Sequence, residues 1–213
     1  MKLNNAFRLE NVITNGNTII EVIRIGKQSV FTTLSASNHS KLERVKHDFY
    51  ATDPQAVKEL LKVEKFHQDI LEPACGQGHI SEVLADYGYN VTSEDLIDRG
   101  YGTGNKDFFD KKEWNGDIVT NPPYKLALEF VEHSIDIIPT GNKVAMFLKI
   151  QFLEGQKRRK FYNTTPPEKV YVFSKRTLCS RNGDFENYNA KAVCYCWFIW
   201  TKGFTGEPVI RWI

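Results

Sequence analysis

The chain has 213 residues, 41% of them hydrophobic and 25% charged, with a formal net charge of +2. That composition fits a globular domain large enough to bury a sizeable core, and excludes a membrane-spanning class, because no apolar run approaches the roughly 20 residues a bilayer requires. The N-terminus lacks the apolar stretch of a secretory signal, and Cys75, Cys179, Cys194 and Cys196 have no zinc-ligand spacing, which predicts a cytoplasmic protein with reduced thiols, no membrane partner and no metal.

Residues 1–46 carry no motif. Two strand-like runs, 18–25 and 28–34, flank Gly26-Lys27, so a β-hairpin appendage followed by a polar linker is predicted. From residue 47 to 213 the pattern becomes one of alternating helices and short apolar strands. Asp53 reads as an N-cap with Pro54 at the first helical position, and Val57, Leu60 and Leu61 form a stripe. A strand at 69–71 runs into a glycine turn. Ile80, Val83, Leu84 and Tyr87 then recur at helical spacing, with Gly88 placed to end that helix. Further strands are predicted at 90–92, 117–120, 143–150, 170–173, 192–200 and 209–213. A helix carrying Leu128, Val131, Ile135 and Ile138 is stopped by Pro139 and Gly141. Such alternation implies right-handed crossovers and an α/β, doubly wound, mostly parallel sheet. The strands at 170–173 and 192–200 have no clear helix between them, so the sheet should end in an antiparallel hairpin.

Two segments carry chemistry. The first is Glu72-Pro-Ala-Cys-Gly-Gln-Gly78, a glycine turn at a strand's carboxyl end, where ligands of open α/β sheets bind. Gly76 and Gly78 permit tight backbone angles and clear space for a ligand. The second is Asn121-Pro-Pro-Tyr124, again at a strand end. Asn121 offers a side-chain carbonyl, Pro122 a backbone carbonyl directed by Pro123, and Tyr124 a face for a planar group. Acceptors plus an aromatic suit a planar amine. Between them, a carboxylate after the second strand should hold ribose hydroxyls, and Glu94 and Asp95 both qualify.

In this order the segments resemble S-adenosylmethionine-dependent amino-methyltransferases of the N6-adenine type. Over residues 49–200, including Phe152-Leu-Glu-Gly-Gln-Lys-Arg-Arg159, the chain resembles phage and prophage DNA adenine methyltransferases. That resemblance implies a Rossmann-like class I methyltransferase domain, S-adenosylmethionine as cofactor and S-adenosylhomocysteine as product. It also implies cofactor contacts from Tyr50 and Thr52 over the methionine end, and from Glu72, Pro73, Ala74, Gly76 and Gly78 at the turn. Asp95 with Leu96 is selected for the ribose because Asp95-Leu-Ile-Asp-Arg-Gly100 resembles the phage enzymes, with Glu94 as the alternative. Asp107 is expected on the adenine amine, Phe108 beside its ring, and Asn121 on both cofactor and substrate.

Charge is distributed unevenly. Between Gln156 and Arg176 seven basic residues face one acid, Glu168, so a local basic patch sits on a mildly acidic remainder and suits a phosphate backbone. Lys157, Arg158, Arg159, Lys160, Lys175, Arg176 and Arg181 are candidate phosphate contacts. Phe152, with Phe161 or Tyr162, is a candidate for packing a flipped base or filling the vacated stack. The interval between the two motifs is too short for a target-recognition domain, which predicts a sequence specificity that is loose or is read by residues 152–190 over only a few bases. DNA is therefore the expected partner, with RNA as the alternative. The rival readings are a protein-glutamine methyltransferase and a catalytically silent binder of methyl donor or DNA.

Overall fold

The computed structural model describes residues 50–175, 177, 179–181 (backbone only at 181) and 193–213. The expected N-terminal hairpin and linker and the candidate phosphate contact Arg176 lie outside the described residues.

The elements follow the chain as β1 (Tyr50–Thr52), α1 (Pro54–Val63), β2 (Asp69–Glu72), α2 (His79–Asp86), β3 (Asn90–Ser93), β4 (Asp117–Thr120), α3 (Ala127–Ile137), β5 (Lys143–Lys149), α4 (Gln156–Tyr162), β6 (Lys169–Val172), β7 (Cys179–Arg181), β8 (Tyr195–Thr201) and β9 (Val209–Trp212). Short 3-10 turns precede α3 and α4. Seven strands form one sheet in the order β3-β2-β4-β5-β8-β6-β9, and β1 pairs with β7 in a separate ribbon. Strands β3, β2, β4 and β5 are mutually parallel. Strand β8 inserts antiparallel between β5 and β6, while β9 runs parallel to β6 at the far edge. The expected antiparallel pair is thus present, but its second strand is interior and the predicted final strand forms the edge.

Period-2 side-chain alternation divides the core between the two faces of the sheet. Val119, Ala145, Phe147, Trp197 and Ile199 pack under α1 and α2 through Val57, Leu60, Ile80 and Leu84. Ile118, Val144, Met146, Phe198 and Trp200 pack under α3 through Phe130, Val131 and Ile137. Helix α1 starts as its sequence predicts, with the Asp53 carboxylate accepting the Gln55 N–H at 2.9 Å and Pro54 in the first turn. Among the described residues, no helix is long and apolar enough to cross a membrane.

Polar residues tie down the amino-terminal edge of the strands. Asp117 accepts the His67 and Lys143 backbone N–H groups, each at 2.7 Å. The buried Glu64 carboxylate accepts from Lys143 Nζ at 2.6 Å, Tyr171 OH at 2.7 Å and Lys169 Nζ at 3.1 Å.

Candidate active site

Strands β2 and β4 are parallel neighbours with Leu71 opposite Ile118. Their carboxyl ends, Glu72 and Thr120, therefore open on one edge of the sheet. The glycine turn and the Asn121–Tyr124 turn leave from adjacent strand ends, as a shared pocket requires.

The glycine turn is tight. Gly76 has φ 58° and Gly78 φ 89°, and the Gly78 N–H donates to Cys75 O at 2.8 Å. Asp95 Oδ2 accepts the Gly76 N–H and Oδ1 accepts the Ile97 N–H, both at 2.8 Å. Each oxygen keeps a further lone pair for a ligand hydroxyl. Glu94, the alternative, is engaged with Lys111 Nζ at 3.2 Å. Asp95 is thus the carboxylate that faces the turn. Leu96 beside it is 55% exposed.

Of three further expected cofactor contacts, Glu72 and Phe108 are buried and Asp107 is exposed. Glu72 is only 1% exposed, and its carboxyl accepts the Ser81 hydroxyl hydrogen bond below the turn. Burial pushes its pKa well above the ordinary carboxyl value. Phe108 is a core residue, 3% exposed and packed on Phe130 and His133; the partly buried Phe109 beside it is the more accessible ring. Asp107 is exposed and uses one oxygen to cap a 3-10 turn through the Phe109 N–H at 3.0 Å. Sequence reasoning also missed Tyr101. A Cβ added at Gly78 would lie 2.5 Å from the Tyr101 ring, so this glycine is required both by its φ and by the ring that covers it.

The second turn is held by the β1–β7 ribbon. Asn121 Nδ2 donates to Tyr50 O at 3.0 Å and Thr52 Oγ1 at 3.1 Å, with Cys179 Sγ at 3.4 Å. Tyr50 and Thr52, expected at the cofactor, thus orient the Asn121 amide. Among the described residues the amide's other atom, Oδ1, is buried with no hydrogen-bond partner, and so is the neighbouring Thr120 Oγ1. Buried acceptors are normally paired, so such an atom in a native fold asks for a ligand donor. Tyr124 lies beside it, its hydroxyl 2.9 Å from Tyr195 OH and 3.4 Å from Cys179 Sγ. Burial pushes the Tyr124 pKa far up, so the residue stays neutral and offers a ring face rather than a base. Tyr50's ring flanks it at 5.6 Å, and Lys149 Nζ sits over it at 4.4 Å from the centroid. Cys179, Tyr195 and Lys149 carried no sequence motif. Only the pairing of β7 with β1 and of β8 with β5 brings them here.

The basic segment separates into three groups. Lys157, Arg159, Lys160 and Lys175 are exposed. Arg158 turns back, donating to Glu154 O and lying over the Phe152 ring at 5.0 Å. Lys169 is committed to Glu64 and Glu168. Phe152 is corrected as a nucleic-acid contact: it is 8% exposed and packs edge-on against Phe198 and Trp200. A depression of about 420 Å³ lies beside α4, lined by Leu153, Gly155, Gln156, Arg159, Tyr162 and Asn163. Of Arg181 only the backbone is described, opposite Tyr50 in the ribbon.

No protein-family model matches the chain. No curated protein matches it either. Solved structures do. A Pyrococcus horikoshii protein provisionally named as an RNA methyltransferase superposes with TM-score 0.52 at 14% identity, over 83% of this chain and 98% of its own. The modification subunit of a provisionally assigned type I restriction enzyme from Vibrio vulnificus gives 0.52 at 12%, over 92% of this chain. This chain spans about half, 52%, of that subunit. An Agrobacterium tumefaciens protein provisionally named as an O-methyltransferase gives 0.53 at 12%, over 75% of this chain and 85% of its own. At these identities the likeness establishes the fold, the Rossmann-like class I methyltransferase fold.

Proposed function

We propose that residues 47–213 form the catalytic domain of an S-adenosylmethionine-dependent methyltransferase that modifies the exocyclic N6 of adenine in DNA, with residues 1–46 as an appendage. The observation that carries this reading is Asn121 Oδ1, which has no partner among the described residues and is fixed by Tyr50 and Thr52 beside the Tyr124 ring, one strand away from the glycine turn.

The donor set fits both reactants. Gly76 and Gly78 clear a path for the cofactor, and Asp95 holds free lone pairs for its ribose. When bound there, S-adenosylmethionine would supply a methyl group already activated on a sulfonium. Adenine's amine is a poor nucleophile because its lone pair is delocalised into the ring. Asn121 Oδ1 accepts one amine hydrogen and the Pro122 carbonyl the other, which favours a pyramidal nitrogen with its lone pair localised. Tyr124 stacks the base. Accepting dipoles also stabilise the positive charge that grows on the nitrogen. Tyr50 and Thr52 hold the amide in the productive orientation before substrate arrives. The surplus proton leaves after transfer, so no dedicated base is needed. Flipping a duplex base costs about a few kcal/mol, and exposed Lys157, Arg159, Lys160 and Lys175 supply phosphate attraction to offset it. That basic surface favours nucleic acid over a protein glutamine.

The test is a labelled methyl-donor assay on duplex DNA, single-stranded DNA, transfer RNA and ribosomal RNA, followed by nucleoside analysis. N6-methyladenine in DNA is expected, and Asn121→Ala should abolish it. Label confined to RNA overturns the substrate, and label in no nucleic acid overturns the reading.

A further inference from the structure

Lys149 is the last residue of β5, at the carboxyl edge that also carries both turns. Its ammonium lies 4.4 Å from the centroid of the Tyr124 ring. Tyr195 is its register partner across the sheet, and Cys179 is close enough for its charge to bear on the ammonium. Among the described residues no carboxylate pairs with it, although burial lowers its pKa. An aromatic face only partly replaces a carboxylate or water for a half-buried ammonium. The position is therefore explained poorly by stability alone.

It is explained by the substrate. An ammonium directly over the ring occupies the layer in which a stacked base would lie. A base entering that layer must displace it to the rim. The flexible four-carbon stem permits this, and three N–H donors then meet the edge of the base. At a purine edge the acceptors are ring nitrogens, whereas the amine that receives the methyl is itself a donor. We infer that Lys149 is a base-reading residue: it guards the Tyr124 face until a purine arrives, then donates a hydrogen bond to one of that purine's ring nitrogens. This rests on the reading above, that Tyr124 stacks the target base.

The experiment uses the full-length protein and a duplex whose methylated adenine has been mapped with it. That adenine is replaced in turn by 1-deaza-, 3-deaza- and 7-deazaadenine, each keeping the amine but lacking one ring nitrogen. For the unsubstituted protein one analogue should lower kcat/KM by about 10- to 100-fold, the effect of losing a hydrogen bond from a charged donor. In Lys149→Met the natural duplex should show that same loss, and the sensitive analogue should add nothing further. A protein indifferent to all three analogues overturns the inference without reference to any variant. So does a Lys149→Met protein with undiminished kcat/KM, or with losses on the sensitive analogue that multiply. If the unsubstituted protein methylates no adenine, the underlying reading fails first and this inference goes with it.

Discussion

The two edges of one sheet are built on opposite rules. At the amino edge every carboxylate oxygen of Asp117 and Glu64 has a protein donor: Asp117 takes two backbone N–H groups, and Glu64 takes two ammonium groups and a phenol. At the carboxyl edge Asn121 Oδ1 and Thr120 Oγ1 are buried with no partner among the described residues, and Lys149 has an aromatic face where Glu64 gives its lysines a carboxylate. An unpaired buried acceptor costs about 1–3 kcal/mol. The fold tolerates that cost at the edge where neighbouring parallel strands release the two functional turns. One edge stabilises the chain, and on the proposed function the other keeps donors and acceptors in reserve for a ligand.

That contrast breaks cleanly under a pair of substitutions. Asn121→Ala should lower kcat by at least about 10²–10³-fold, the magnitude seen when one preorganised dipole is removed from a site. Its melting temperature should barely move, because losing the amide's bonds to Tyr50 and Thr52 is offset by deleting the orphaned oxygen. Glu64→Gln should do the reverse: near-normal kcat, but a loss of about 2–4 kcal/mol as two lysines lose their counter-charge. Calorimetry and steady-state assays on both variants decide it, and a Glu64→Gln protein as stable as the parent would refute the division.

The amino edge also has a pH signature. Burial raises the Glu64 pKa, but hydrogen bonds from Lys143 and Tyr171 outweigh this and leave it below the ordinary 4.5. A depressed carboxylate contributes stability above its unfolded-state pKa and loses it as pH falls through the folded value. Thermal melts should therefore decline on acidification below about pH 4.5, and Glu64→Gln should flatten that part of the profile. An equally steep profile in the variant would assign the acid sensitivity elsewhere.

Local signals were legible in the sequence and long-range ones were not. The Asp53 cap, the α1 stripe and the strands expected at 69–71 and 117–120, found at Asp69–Glu72 and Asp117–Thr120, follow from spacing and turn chemistry within a few residues. Asp95 was separable from Glu94 only by a resemblance, and here it is the Gly76 N–H that distinguishes them. Phe108 and Phe152 could not be told from exposed rings, because an aromatic's burial depends on which helix or strand crosses it. The Asn121 clamp draws on Tyr50, Thr52 and Cys179, between 58 and 71 residues away. No window of sequence contains that pairing, which exists only because β1 meets β7.

Thr52→Val sharpens the comparison within the carboxyl edge. The resemblance placed Thr52 on the cofactor, whereas its hydroxyl is found holding Asn121 at 3.1 Å. As a positioning residue its removal should lower kcat by about 3- to 10-fold, leaving KM for the methyl donor unchanged, because Tyr50 O still anchors the amide. A raised KM with normal kcat would return Thr52 to the cofactor.

The mildest expected effect on turnover lies on α4. Lys157, Arg159 and Lys160 are exposed, while Arg158 is bound back on Glu154 O and Phe152. Replacing those three by Ala should leave kcat at saturating DNA unchanged and weaken affinity similarly for all sequences. The slope of log affinity against log salt should become shallower by about 0.9 for each phosphate that is no longer neutralised, and so by about 2–3 in total. Arg158→Ala should leave the slope alone and instead lower stability, because its guanidinium covers the Phe152 ring and caps the turn before α4. If Arg158→Ala changes the slope and the triple variant does not, the nucleic acid meets the other side of the helix.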